Sequence, residues 1–160
     1  MELYPITFDT HGSLAIVGRP RGGDWLEDDL RNLAERGVSV LVSALERSEE
    51  HELGLELEAS TAERVGLVHI RIPIPDRSVP VRSDMKVAIA RIVKYLDEGA
   101  QVAVHCRMGI GRSSLICGTV LVSKGVNWKT AWALIREARG IDLPDTPEQY
   151  DWLGHFATDL

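Results

Sequence analysis

The chain has 160 residues, 44% of them hydrophobic and 26% charged, with a formal net charge of −6. That length can bury one sizeable core, and the acidic balance argues against nonspecific nucleic-acid binding and against an anionic membrane surface as the main partner. Two cysteines do not make a disulfide framework, and no apolar run approaches the roughly 18 residues of a spanning helix.

The start, Met1 to Pro5, lacks the basic segment and apolar core of a secretion signal, which gives a cytoplasmic location as the expectation. Residues 14–17 read as a short apolar strand, followed by a loop from Pro20 to Gly23. Asp24 is placed to cap a helix with Leu26, Leu30, Leu33 and Ala34 on one face and Gly37 as its stop. A strand is expected over 38–42. Residues 47–66 are polar and helical in part, and their acidic side chains (Glu49, Glu50, Glu52, Glu56 and Glu58) read as a solvated face. A strand over 67–72 leads into a proline-marked loop over 73–82. Ser83 or Asp84 is placed to cap the next helix, with Val87, Ile89, Ile92, Val93 and Leu96 inward and Gly99 at its end. A strand over 101–105 follows, then helices near 113–124, 128–138 and 147–157.

Alternating strands and helices imply an α/β fold. The expectation is one domain over 1–160, with a central, mostly parallel sheet flanked by helices on both faces. Ligands of such sheets sit beyond the carboxyl ends of the strands. Two loops that carry chemistry, one with Asp76 and one with Cys106, both follow strand ends.

The densest signal is His105-Cys106-Arg107-Met108-Gly109-Ile110-Gly111-Arg112-Ser113. A strand enters, a glycine loop turns, and a helix starts. The amides from Arg107 to Arg112, together with the helix N-terminus, can converge on one anion. Gly109 and Gly111 permit crowded or left-handed backbone. Arg112 offers a planar fork for two phosphate oxygens. The same field lowers the thiol of Cys106 from its usual value near ~8.5, so that it is a thiolate poised to attack phosphorus. His105 is placed to restrain the cysteine. The hydroxyl of Ser113 is placed to donate to the sulfur and improve it as a leaving group.

This signature resembles that of the cysteine-dependent protein phosphatases, His-Cys-(x)5-Arg-Ser/Thr. Within that superfamily the chain is most similar to the atypical dual-specificity phosphatases, from about Leu14 to Trp152. Leu14 to Pro20 resembles their first strand and turn, Gly37 to Glu46 their second strand, and Ile70 to Asp76 the strand and loop that present the general acid. Thr146 to Leu153 is similar to the segment beside the active site in the kinase-associated phosphatases of that branch.

The resemblance implies a hydrolase that works without cofactor or metal. Cys106 attacks the ester, the loop from Arg107 to Arg112 holds the phosphate, and Asp76 protonates the leaving oxygen. Asp76 then activates the water that hydrolyses the phosphocysteine. By the same resemblance Gln149 orients that water; its plain alternative is a polar residue on a helix surface. Asp84 is the competing acid, but it opens a helix, where capping is the simpler role. The expected substrate is a phosphorylated protein or peptide, carrying phosphotyrosine and in some cases phosphoserine or phosphothreonine. Phosphate, vanadate and sulfate are the expected site ligands, and the expected state is a monomer.

A non-protein ester (an inositol phosphate, phospholipid or RNA 5′ end) is the alternative substrate. Related lipid phosphatases carry lysines in the loop, where this chain has Met108 and Ile110. A silent phosphate-binding module is the remaining alternative, against which Cys106, Arg112 and Asp76 are all intact. Arg77 and Arg107 flank the two chemical groups and are the candidates for shaping substrate choice. Arg19 and Arg21 lie in a glycine-rich loop, within reach of a second phosphate or simply part of a turn. Cys117 reads as a core thiol, Trp25, Trp128, Trp132 and Trp152 as packing anchors, and Glu46 as a solvated loop acid.

Overall fold

The computed structural model describes residues 1–160. Its strands are β1 (Leu3–Pro5), β2 (Ser13–Val17), β3 (Val40–Ser43), β4 (Val68–Arg71) and β5 (Gln101–His105). Its helices are α1 (Leu26–Glu35), α2 (Arg47–Leu53), α3 (Glu58–Arg64), α4 (Arg82–Asp97), α5 (Arg112–Ser123), α6 (Trp128–Arg139) and α7 (Pro147–Thr158). The strands form one sheet in the order β1-β2-β5-β3-β4, parallel except for β1, which runs antiparallel along β2. This is the α/β arrangement expected from the alternation of elements.

Side-chain alternation along the strands feeds two cores. Val40, Val42, Val102 and Val104 face the larger one, with Ile89 and Ile92 of α4, Leu115 and Val120 of α5, Trp132 of α6 and Leu153 of α7. Leu41 and Ala103 face the smaller one, with Leu26, Leu30 and Leu33 of α1 and Ala62 of α3. Helices therefore cover both faces of the sheet, and the strand ends are left open only at the rims. At the carboxyl rim β3 runs into α2, β4 into the Asp76 loop, and β5 into the cysteine loop.

Several local expectations are corrected. Strand β1 lies in a stretch that showed no strand pattern. Asp24 lies in a short 3-10 turn (Gly23–Trp25) before α1, whose N-terminus has no side-chain cap; the acids Glu27, Asp28 and Asp29 complement its dipole instead. Helix α4 starts at Arg82, so neither Ser83 nor Asp84 caps it. Val87 is 68% exposed, and Met85 takes the inward position. Trp25 is 57% exposed rather than a core anchor, whereas Trp132 is fully buried. Gly37 does end α1, with a positive φ of 95° that an L side chain resists.

Candidate active site

The site is built on the turn between β5 and α5. Strand β5 is hydrogen-bonded between β2 and β3, so the loop leaves the middle of the sheet. Helix α5 is buried along nearly its whole length, which makes its N-terminus a fixed platform. Gly109 takes a φ of +71°. At Gly111 the requirement is space: a Cβ there would collide with the carboxylate of Asp145 and come within 2.8 Å of Gln149 Oε1.

Cys106 is buried at the base of this loop. Its sulfur lies 3.2 Å from the Ser113 hydroxyl, and the Gly109 amide donates to it at 3.3 Å. Burial alone pushes a thiol up. The Ser113 hydroxyl and amide, the Arg112 charge and the Gly109 amide outweigh it, so Cys106 titrates below its ordinary value. The backbone amides of Arg107, Met108, Ile110 and Gly111 have no acceptor within the chain, which leaves a ring of donors around the sulfur.

Two arginines hold this ring from outside. Arg19 donates through Nη1 to the Arg107 carbonyl at 2.7 Å. Arg139 donates through Nε to the Gly109 carbonyl at 3.0 Å and lies 4.3 Å over the Tyr4 ring of β1. Across each planar peptide the carbonyl and the following N–H point opposite ways. Fixing these carbonyls outward turns the amides of Met108 and Ile110 toward the sulfur.

Arg112 is 1% exposed. Glu49 grips it at both nitrogens, 2.6 Å to Nη1 and 2.8 Å to Nη2, and Nη1 also donates to the Ile74 carbonyl at 2.9 Å. This fork sets the guanidinium plane. Burial pushes the Glu49 carboxyl up, but Arg112 holds it below the usual carboxylate range. Asp76 approaches Arg112 Nη2 at 3.2 Å and is about half exposed, so β4 delivers it to the mouth of the loop. The two predicted loops do meet at one rim. Asp84 lies on α4 and makes no hydrogen bond or ion pair with this cluster.

His105 is wholly buried, with Nδ1 3.1 Å from the Cys106 carbonyl and Nε2 2.9 Å from the Glu58 carboxylate. Glu58 is held on its other side by His69 Nε2 at 2.6 Å. Burial pushes His105 down, yet Glu58 raises it above its ordinary value. Gln149 is buried, not on a helix surface. Its Nε2 donates to the Ser78 carbonyl at 2.9 Å, and its Oε1 accepts from the Asp145 amide at 3.1 Å. It thus ties α7 to the Asp76 loop beside Gly111. Arg77, with a φ of +59°, reaches the Asp145 carboxylate at 4.0 Å.

The acidic stretch 47–66 is the main correction. Glu49, Glu50 and Glu58 are buried, paired respectively with Arg112, Arg71 and the two histidines. Glu46 and Glu49 form a reciprocal cap on α2, which starts where β3 ends. A three-residue acid spacing directly after a strand end was the available signal.

A family model described as "Polymorphic toxin system, DSP-PTPase phosphatase" matches residues 15–126. Cyclin-dependent kinase inhibitor 3 of Rattus norvegicus is 23% identical over 137 residues, which are 84% of this chain and 65% of that protein. The chain thus spans just under two-thirds of that relative's length. Among solved structures, kinase associated phosphatase, with its catalytic-site cysteine replaced by serine, superposes with a TM-score of 0.91 at 17% identity. That match covers 99% of this chain and 94% of the other. PTPMT1 in complex with PI(5)P superposes with a TM-score of 0.79 at 21% identity, covering 98% of this chain and 96% of the other.

Proposed function

The chain belongs to the Tc-R-P family, the DSP-PTPase phosphatases of polymorphic toxin systems, and we propose that it hydrolyses phosphate monoesters through a phosphocysteine on Cys106. The observation that carries this reading is a buried sulfur, faced by Ser113, Gly109 and Arg112, that titrates below its ordinary value inside a ring of free amides. In the first step Cys106 Sγ bonds to phosphorus as the ester P–O bond breaks. Asp76 gives its proton to the leaving oxygen. Arg112 and the amides from Arg107 to Gly111 stabilise the charge spread over the equatorial oxygens. In the second step Asp76 takes a proton from water, the water oxygen bonds to phosphorus, and the thiolate leaves with the Ser113 hydroxyl donating to it. In this reading Gln149, beside Gly111, orients that water with the hydrogen-bonding capacity left over from its bonds to Ser78 and Asp145.

The substrate we favour is a phosphorylated protein or peptide. Asp76 stands about half exposed beside Arg112, and Met108 on the loop is 65% exposed, which supports an open mouth that admits more than one kind of phosphoresidue. A phosphoinositide is the second reading. The likeness of the fold to PTPMT1, whose structure holds PI(5)P, favours it, while Met108 and Ile110 give the loop no added cation.

The deciding experiment is hydrolysis of p-nitrophenyl phosphate in the presence of a chelator. The wild-type chain turns over, and Cys106→Ser loses turnover while still binding vanadate or phosphate. Turnover that survives Cys106→Ser overturns the nucleophile assignment.

A further inference from the structure

The chain carries a net charge of −6. Against that background, the cavity next to the cysteine loop is lined by Arg19, Arg21 and Arg107 and by no carboxylate-bearing residue. It holds about 530 Å³, room for a side chain and part of a peptide backbone. The three guanidinium groups are not equivalent. Asp29 answers Arg21 through both nitrogens, at 2.7–3.3 Å. Glu52 answers Arg107 at 3.1 Å. Arg19 spends one nitrogen on the Arg107 carbonyl and has no carboxylate partner. Its charge is the one left for a ligand.

The apolar lining is as unusual as the charge. Trp25 and Met108 are 57% and 65% exposed, two of the few large hydrophobic side chains left open, and both border this cavity. Arg21 lies 4.5 Å over the Trp25 ring and holds the indole in place. An exposed, immobilised tryptophan beside an unmatched cation is a recognition surface rather than a core element.

We propose that this cavity is a specificity site for acidic phosphopeptides. It takes a Glu or Asp side chain of the substrate on Arg19, with the neighbouring peptide packed on Trp25 and Met108. The inference rests on the phosphatase reading above and names its substrate class. The reach is right: Met108 is two residues from Cys106, so its Cα is at most ~7.6 Å from the nucleophile's. Extended peptide advances ~3.3 Å per residue, which places the acid two or three positions from the phosphorylated residue.

A double-mutant cycle tests it. Matched phosphotyrosine peptides, with Glu or Gln two and three positions from the phosphoresidue, are turned over by wild type, Arg19→Gln and Trp25→Ala. With wild type, the Glu peptide exceeds the Gln peptide in kcat/KM by about threefold to fivefold, the scale of an exposed ion pair. The preference disappears in Arg19→Gln and shrinks as salt is raised. Any disturbance of the loop by that change affects both peptides alike and cancels in the cycle. Trp25→Ala lowers kcat/KM for both peptides and leaves p-nitrophenyl phosphate unchanged. Equal rates on the two peptides, or an acidic preference that survives Arg19→Gln, overturns the site while leaving the phosphatase reading intact. A soluble inositol bisphosphate turned over faster than either peptide overturns the substrate class. Failure of wild type to hydrolyse p-nitrophenyl phosphate overturns the parent reading itself.

Discussion

Cys106 and Cys117 belong to one strand–loop–helix unit and are both buried, at 3% and 0% exposure, yet their thiols shift in opposite directions. Burial pushes Cys117 up, and the nearby charge of Cys106 adds to it. Burial pushes Cys106 up as well, but two amides, a hydroxyl and a guanidinium reverse the outcome. Cys117 sits inside α5, past the first turn where a helix dipole acts. The direction in which each thiol shifts is therefore set by which donors face the sulfur, not by how deeply it is buried. Substitutions that remove a partner but leave burial unchanged sharpen the contrast.

Glu58 is the largest such case. It is a buried carboxylate kept ionised by His105 and His69, which hold it down to about 2 against the push of burial. Its folded value lies below the unfolded one, so its contribution to stability is present above about 4.5 and is lost as pH falls toward 2. His105 is shifted upward, so its contribution is complete below 6.5 and is lost as pH rises through the raised folded value. The pair therefore contributes most between about 4.5 and 6.5. Glu58→Gln should cost ~3–5 kcal/mol of unfolding free energy at pH 6. The cost should shrink by pH 3, because the carboxyl of the unfolded wild-type chain is by then protonated while the folded one, held near 2, is not. Urea titrations at the two pH values measure this, and an equal cost at both would assign the loss to packing rather than charge.

Ser113→Ala comes next. It removes the hydroxyl 3.2 Å from the sulfur and leaves the Gly109 amide and Arg112 in place. A hydrogen bond to a charged group is worth ~1.5–3 kcal/mol, roughly 10- to 150-fold in rate. Breakdown of the phosphocysteine should slow by that order, because the departing thiolate loses its donor, and burst kinetics with p-nitrophenyl phosphate should show the intermediate accumulate. The pH profile of iodoacetamide alkylation should move upward in parallel. A slower first step with no accumulation would place the hydroxyl in substrate binding instead.

What could be read in advance was contiguous in the chain. Strand β5 was expected over the residues it occupies, and α5 begins within a residue of its expected start, because the signature, the glycines and the apolar strand lie side by side. Asp76 was legible because a proline-marked loop follows a strand end. Glu49 and Glu58 were not, since their partners Arg112 and His105 lie 63 and 47 residues away. A charge-rich stretch with little apolar periodicity has the pattern of a solvated face, and only tertiary pairing turns it inward. The same applies to Arg139, which meets the loop 30 residues upstream and rests on Tyr4. Strand β1 has three residues, the last a proline, and is too short to show alternation; it forms by pairing along β2 at the sheet edge.

The smallest expected effect is the most direct test of the contrast between the two sulfurs. Cys117→Ala deletes one buried sulfur from the larger core and should cost ~1 kcal/mol of stability, near the value of one buried methylene. Neither anion binding nor kcat/KM should change, because no donor to Cys106 is removed. Iodoacetamide at pH 6.5 should label the native wild-type chain at one thiol, with phosphate or vanadate protecting it. Cys117→Ala should keep that single label, and Cys106→Ser should abolish it. Labelling of Cys117 in native Cys106→Ser at the same rate would mean that access, not ionisation, separates the two thiols, and the contrast would then rest on local opening of α5 instead of on the donors around Cys106.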